Sequence, residues 1–232
     1  MSVKIKIGNI PYIIEVIDDK ISYDDDKEKN TKLSASINYL RQRIKVYEPS
    51  PEHKLRAMLF DIICVIIIEY SIRELMRDDG TFVTSAIDKL SLGLSEVLES
   101  VGITELKPKN KWFNIFKFKK KHNNDIKIKI RGKSYTIEMI DDQNEFNHRL
   151  NKEITNLMFG AIAPSKQSII ILNTLPPERK LRTTLHEILH GIITEYDIHE
   201  LIDTNGVHME FAIDQLALGM AEVLENIDIT KI

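Results

Sequence analysis

Residues 184–196 read TLHEILHGIITEY, and within them His186, Glu187 and His190 form the pattern His-Glu-x-x-His. On a helix, positions i and i+4 lie one turn apart on the same face, so both imidazoles can reach one ion. Zinc takes imidazole nitrogens at about 2.0–2.1 Å and, in catalytic sites, keeps one position open for water. Glu187 then stands beside that water as its base, while the metal lowers the water's pKa and polarises the carbonyl under attack. Without a metal, three polar side chains on an otherwise apolar helix would each need another partner, at about 1–3 kcal/mol per unsatisfied group. The spacing points to Zn2+ as cofactor, to His186 and His190 as ligands, and to Glu187 as the catalytic residue.

A third ligand must come from elsewhere. The longer pattern HExxHxxGxxH would need glycine at 193 and histidine at 196, where Ile193 and Tyr196 stand. Downstream candidates are Glu195, His199, Asp203, His208, Glu210 and Asp214. The chain supplies its own comparison, because residues 51–101 align with 177–227 without a gap and 25 of the 51 positions are identical. In that earlier copy Phe60, Asp61 and Cys64 replace His186, Glu187 and His190, so its chemistry is absent. Glu69 and Asp88 stand opposite Glu195 and Asp214, so a structural role is the simpler reading of those two acids. Glu210 faces Thr84, so it varies together with the two histidines. His199 and His208 face Arg73 and Phe82. His199 is expected on the same long helix as the motif, out of reach of the ion. Glu210 is therefore favoured as the third ligand, with His208 as its rival. Two further candidates are Tyr196, as an oxyanion donor, and Asp214, as a hydrogen-bond partner of a ligand histidine. Both are matched in the earlier copy, by Tyr70 and Asp88, and both suit packing as well.

The elements that must carry these residues are also duplicated. Residues 4–19, KIKIGNIPYIIEVIDD, pair with 127–142, KIKIRGKSYTIEMIDD. Each alternates apolar and polar residues around a turn and predicts a β-hairpin. A further strand is expected at 43–47 and at 168–172. A helix then opens at Pro51, with Ser50 as its cap, and at Pro177. That helix is expected to run to about residue 76, roughly 40 Å at 1.5 Å per residue. Gly80 and Gly206 are its expected terminators. A second helix follows, with Val83, Ala86, Ile87, Leu90, Leu94, Val97, Leu98 and Val101 on one face. The expected class is α+β, two tandem repeats, each a small antiparallel sheet followed by two α-helices. The expected division is a degenerate repeat at 1–105, a linker at 106–125 and a zinc-binding repeat at 126–232.

Composition narrows the class further. The charged fraction of 29% and hydrophobic fraction of 43% suit a soluble domain with a core, and the net charge of -3 names no partner. One cysteine, Cys64, excludes an internal disulfide framework and suits a reducing compartment. The N-terminus lacks a signal-peptide core, and the longest aliphatic run, IICVIII at 62–68, is far short of the roughly 20 residues of a membrane span. The chain is expected in the cytoplasm. Residues 107–121 hold seven lysines and no acid, interleaved with Trp112, Phe113, Phe116 and Phe118. They suit either an anionic surface contact or a solvated linker whose aromatics pack back. No nucleic-acid fold motif accompanies them.

From about 125 to 230 the chain resembles the minimal zinc metallopeptidases of the ImmA/IrrE type, above all the small forms common in phages and mobile elements of low-GC bacteria. The resemblance rests on IKIKIRGKSYTIEMID, SIIIL, RKLRTTLHEILHGI and EFAIDQLALGMAEVLEN. In that family the opening of the last helix, E-x-x-A/V-x-x-F/L-A, gives the third zinc ligand. Glu210, Ile213, Leu216 and Ala217 match it here, whereas Ala212 replaces a second glutamate of the fuller form. The resemblance implies a peptide-bond hydrolase acting on a specific, repressor-like protein in a bacterial host cell. Residues 2–105 resemble the family in scaffold only. That half and the basic linker motivate the alternative, a binding or inhibitory protein that uses the scaffold to recognise a host protein.

Overall fold

The computed structural model describes residues 2–8, 10–17, 35–38, 41–47, 51–103, 125–149 and 158–226. Ser50 and the basic stretch 107–121 lie outside the described residues. The fold is α+β, with two small four-stranded sheets and five α-helices among the described residues.

The first sheet comprises β1 (Ser2–Ile7), β2 (Ile10–Ile17), β3 (Ala35–Asn38) and β4 (Arg43–Tyr47), in the order β1-β2-β4-β3. Two helices follow it, α1 (Pro51–Glu69) and α2 (Thr84–Ser100). The second sheet comprises β5 (Ile126–Ile130), β6 (Lys133–Ile140), β7 (Gly160–Ala163) and β8 (Ser168–Leu172), in the order β5-β6-β8-β7. A short helix, α3 (Gln143–Arg149), lies between β6 and β7, and α4 (Pro177–Tyr196) and α5 (Glu210–Asn226) follow the sheet.

The hairpins form as their alternation requires. In the second, Arg131 and Gly132 connect Ile130 to Lys133, both at positive φ (50° and 73°), the two-residue turn that matches strand twist. The sheets are mixed, however, and not antiparallel as expected from sequence. The central pairs β2–β4 and β6–β8 run parallel, with antiparallel partners on either edge. The connection from β6 crosses before β8 and carries α3, whose first turn Asp142 caps by accepting the N–H groups of Asn144 (2.6 Å) and Glu145 (2.9 Å). This crossover also lays down the edge strand β7, as the connection from β2 to β4 lays down β3, and sequence reading missed both strands. A central parallel strand is covered on both faces, and Ile169 to Leu172 are accordingly all buried. Ile169 and Ile171 join the main core, while Ile170 and Leu172 join a smaller cluster with Phe146 of α3.

The motif helix is shorter than expected. Both α1 and α4 stop where Ser71 and Asp197 turn left-handed, each at φ 54°. The N–H groups of Ile72 and Ile198 then close back onto the carbonyls of Ile67 (2.9 Å) and Ile193 (3.1 Å). Serine and aspartate replace the usual glycine here because the loop that follows is buried at Ile72 and Ile198 and fixes the reversal. Gly80 and Gly206 close tight turns further on. In the second turn Asp203 N–H bonds the Val207 carbonyl at 2.7 Å, and Ile202 bridges His208.

A single buried cluster draws on both halves. α2 packs on α1, α4 and β5, while α5 packs on α4, α1 and β1. The helix crossings are close because glycine faces isoleucine twice. A Cβ on Gly93 would lie 2.6 Å from Ile192 Cγ2, and one on Gly219 would lie 2.7 Å from Ile66 Cγ2. Gly93→Ala therefore overpacks the junction and lowers unfolding stability by about 1–3 kcal/mol, measurable by urea denaturation. Glu96 accepts the Gly132 N–H at 2.7 Å and the Tyr196 hydroxyl at 3.1 Å. Glu222 does the same for the Gly8 N–H at 2.6 Å and the Tyr70 hydroxyl. No helix among the described residues is long and apolar enough to cross a membrane.

Candidate metal centre

His186 and His190 lie on the last three turns of α4, on the face toward the start of α5. Glu210 opens α5 directly after the turn that ends at the Ile202–His208 bridge. The turn is held by the Asp203 carboxylate, which accepts the N–H groups of Asn205 and Val207, each at 2.8 Å. These two elements bring His186, His190 and Glu210 into one group whose ligand atoms all lie within 4.8 Å of one another. No other such cluster of histidine, cysteine and acid occurs among the described residues.

Nε2 of His186 stands 2.9 Å from Nε2 of His190, and the Glu210 carboxylate lies 3.2 Å from the first and 3.5 Å from the second. Ligands at about 2.0–2.1 Å from a tetrahedral zinc sit about 3.3 Å apart, so the triangle fits that ion. The outer ring nitrogens are engaged elsewhere. His186 Nδ1 donates to Asp214 at 3.1 Å, and His190 Nδ1 lies 2.6 Å from His208 Nδ1. With protons on both Nδ1 atoms, the inner nitrogens and the carboxylate present only lone pairs to one another, and a cation is what such a set accommodates. Burial, and after it His186 and His208, pushes His190 down to about 3, so its imidazole stays neutral, the ligand form.

Glu187 is 7% exposed, and burial with Glu210 beside it pushes its carboxyl up to about 8. It borders a cleft that it shares with His186 and Asp214. Gly160, first residue of β7, makes room for it, since a Cβ there would lie 2.8 Å from Glu187 Cγ. In the first half the pairing register puts Ala35 where Gly160 stands, and Asp61 replaces Glu187.

The remaining candidates separate cleanly. His208 stacks on His190, with ring centroids 4.9 Å apart and planes 13° off parallel, and so backs that imidazole on the side away from Glu210. Asp214 divides itself between His186 Nδ1 and Arg182, 3.3 Å away. Its counterpart Asp88 is held wholly by Arg56, with both oxygens at 2.6 Å. An acid present in both halves has thus been turned toward the imidazole in one, which comparison of the halves by sequence could not show. Tyr196 points to Glu96 and Arg131, away from the histidines. Glu195 is tied to the Tyr135 hydroxyl and Lys133, each at 2.6 Å. His199 lies on the 3-10 turn after α4, correcting the expectation of one long helix, and pairs with Asp197 at 3.0 Å. Sequence reading missed Gly160 and Arg182. The signals were the Gly-to-Ala difference at the strand and the arginine–aspartate pair kept in both halves.

The first half has Asp61 and Cys64 at the positions aligned with Glu187 and His190. Asp61 is 3% exposed, and its Oδ2 has no hydrogen-bond partner among the described residues. Burial raises its carboxyl well above the usual range, and burial with Asp61 nearby raises the Cys64 thiol. A carboxyl raised in the folded state contributes most below its unfolded value of about 3.9, and that contribution is lost as pH rises above it. Asp61→Asn is therefore close to neutral at pH 3–4 and increasingly stabilising above, by up to about 1.4 kcal/mol per pH unit until Asp61 ionises. Denaturation midpoints of both proteins across pH 4–8 check this.

Compared with protein-family models, with curated proteins and with solved structures, the chain matches none.

Proposed function

We propose that the chain is a zinc-dependent endopeptidase whose site lies in the second of two tandem copies of one unit. The observation that supports it best is the convergence of His186 Nε2, His190 Nε2 and the Glu210 carboxylate on one point beside the buried Glu187. Zinc held there would polarise the scissile carbonyl and acidify the attacking water. Glu187 takes that water's proton and passes it to the leaving amine. Asp214 and His208 hold the two imidazoles by their Nδ1 atoms and fix which nitrogen faces inward. Gly160 keeps the edge strand close and leaves Glu187 open to the cleft. The resemblance to ImmA/IrrE-type enzymes supports a narrow protein substrate in a bacterial cytoplasm, with a repressor-like protein as the substrate class.

The test is the appearance of new N-termini when the zinc-loaded chain meets the whole set of bacterial cytoplasmic proteins, repressors included, in native and in denatured form. Cleavage that stops with chelator and returns with zinc is expected, and a mixture left intact at every zinc concentration refutes the activity. The second reading, a binding or inhibitory protein on a metallopeptidase scaffold, draws on the first half, where Phe60, Asp61, Cys64 and Thr84 cannot rebuild the site. Under that reading the biological effect survives Glu187→Gln.

A further inference from the structure

The cleft beside Glu187, about 340 Å³ in volume, is lined by two arginines, Arg179 and Arg182, as well as by the acids Glu187 and Asp214. One wall is Met158, Phe159 and Gly160, and the other is the face of α4 that carries Arg179, Arg182 and Thr183 up to His186. These positions follow the i, i+3, i+4, i+7 spacing of one helical face. The two arginines differ in commitment. Arg182 is 3.3 Å from Asp214. Arg179 is exposed, and its guanidinium lies 4.0 Å over the Phe159 ring, with no acid in ion-pair contact among the described residues.

Stacking uses the face of a guanidinium and leaves its in-plane N–H groups free, the edge that binds a carboxylate through two parallel hydrogen bonds. The internal comparison adds an independent observation. Arg182 has Arg56 opposite it, but Arg179 has His53, so Arg179 differs between the halves together with His186, Glu187, His190 and Glu210.

We propose that Arg179, seated on Phe159, binds a carboxylate of the substrate peptide and so selects an acidic residue close to the scissile bond. The assignment rests on the reading of the site as a peptide-bond hydrolase. Seven residues of helix separate Arg179 from His186, about 10 Å along the axis. An extended peptide covers that in about three residues. The acidic residue therefore falls within three positions of the bond that is cut. A side-chain carboxylate and a chain-terminal carboxylate share this chemistry, and the experiment separates them.

The probe is a randomised octapeptide library, prepared once with free and once with amidated C-termini. It is offered to zinc-loaded full-length protein carrying Glu187→Gln, and bound peptides are identified by mass spectrometry. Enrichment of Asp and Glu by about fivefold at one position is expected, the size of one partly solvated ion pair. Persistence in the amidated library assigns it to a side chain, and restriction to the free library assigns it to the terminus. Adding Arg179→Glu is expected to turn the preference toward Lys and Arg with zinc content unchanged, and Arg179→Gln to erase it without reversal. Bound peptides without acidic enrichment, no bound peptides at all, or enrichment that ignores both substitutions overturns the proposal. The same library given to the wild-type chain reads hydrolysis separately. Enrichment without cleavage overturns the hydrolase and leaves the carboxylate subsite standing.

Discussion

Glu187→Gln is expected to leave zinc binding unchanged and to lower hydrolysis by about 10²–10⁴-fold, the usual contribution of a positioned general base. The substitution keeps size and shape in a place where both matter, since Glu187 is 7% exposed and packed against Gly160. What it removes is the capacity to take a proton. Burial and the neighbouring Glu210 push that carboxyl up to about 8, and a divalent cation held at the two histidines would oppose the push by favouring the charged form. Glutamine offers no basic oxygen at any pH. The effect is read as kcat on any cleaved peptide, with zinc content measured on the same sample. An unchanged rate would assign the proton transfer to another residue and remove the main reason for calling the site hydrolytic.

His190→Ala acts one step earlier, on the metal. His190 is 9% exposed, held neutral by its burial, and lies with its Nδ1 2.6 Å from His208 Nδ1, and it is the more buried of the two imidazoles. Its loss leaves one histidine and one carboxylate, a set too small for a tetrahedral site with an open position. Loss of a supporting residue behind a ligand costs about 10–100-fold in metal affinity, and loss of the ligand itself exceeds that. Thermal unfolding gives the reading. Wild type at zinc 100-fold above its Kd gains about 2.7 kcal/mol, whereas His190→Ala at the same concentration gains almost none. The corresponding change in the first half, Cys64→Ala, leaves the zinc-dependent shift intact, because Cys64 lies outside the cluster of ligand atoms.

Much of the site was legible because its residues are governed by local periodicity. His186 and His190 needed only a helix between them, and the 3.6-residue repeat of RKLRTTLHEILHGI supplies one. Glu210 became legible through its covariation with the histidines across the two copies. The parts that were not legible depend on the path of the chain between elements. The short strands ASIN and GAIA carry no alternation strong enough to announce an edge. The parallel pairing of β6 with β8 is decided by a crossover whose only local mark is the Asp142 cap of α3. The early end of α4 at Tyr196 depends on a left-handed Asp197, a conformation that aspartate adopts more often than most residues but far less often than glycine. His208 was weighed as a ligand because its spacing allowed it. Its bridge with Ile202 directs it behind His190 instead.

The central claim is that three residues on two helices of the second half hold one zinc ion. Zinc content per chain, measured after exhaustive dialysis at neutral pH for wild type and for Glu210→Ala side by side, tests it most directly. The expected result is about one zinc per wild-type chain and a large loss in Glu210→Ala, as a three-ligand site requires. Wild-type protein free of zinc, or Glu210→Ala that retains it fully, would contradict the claim.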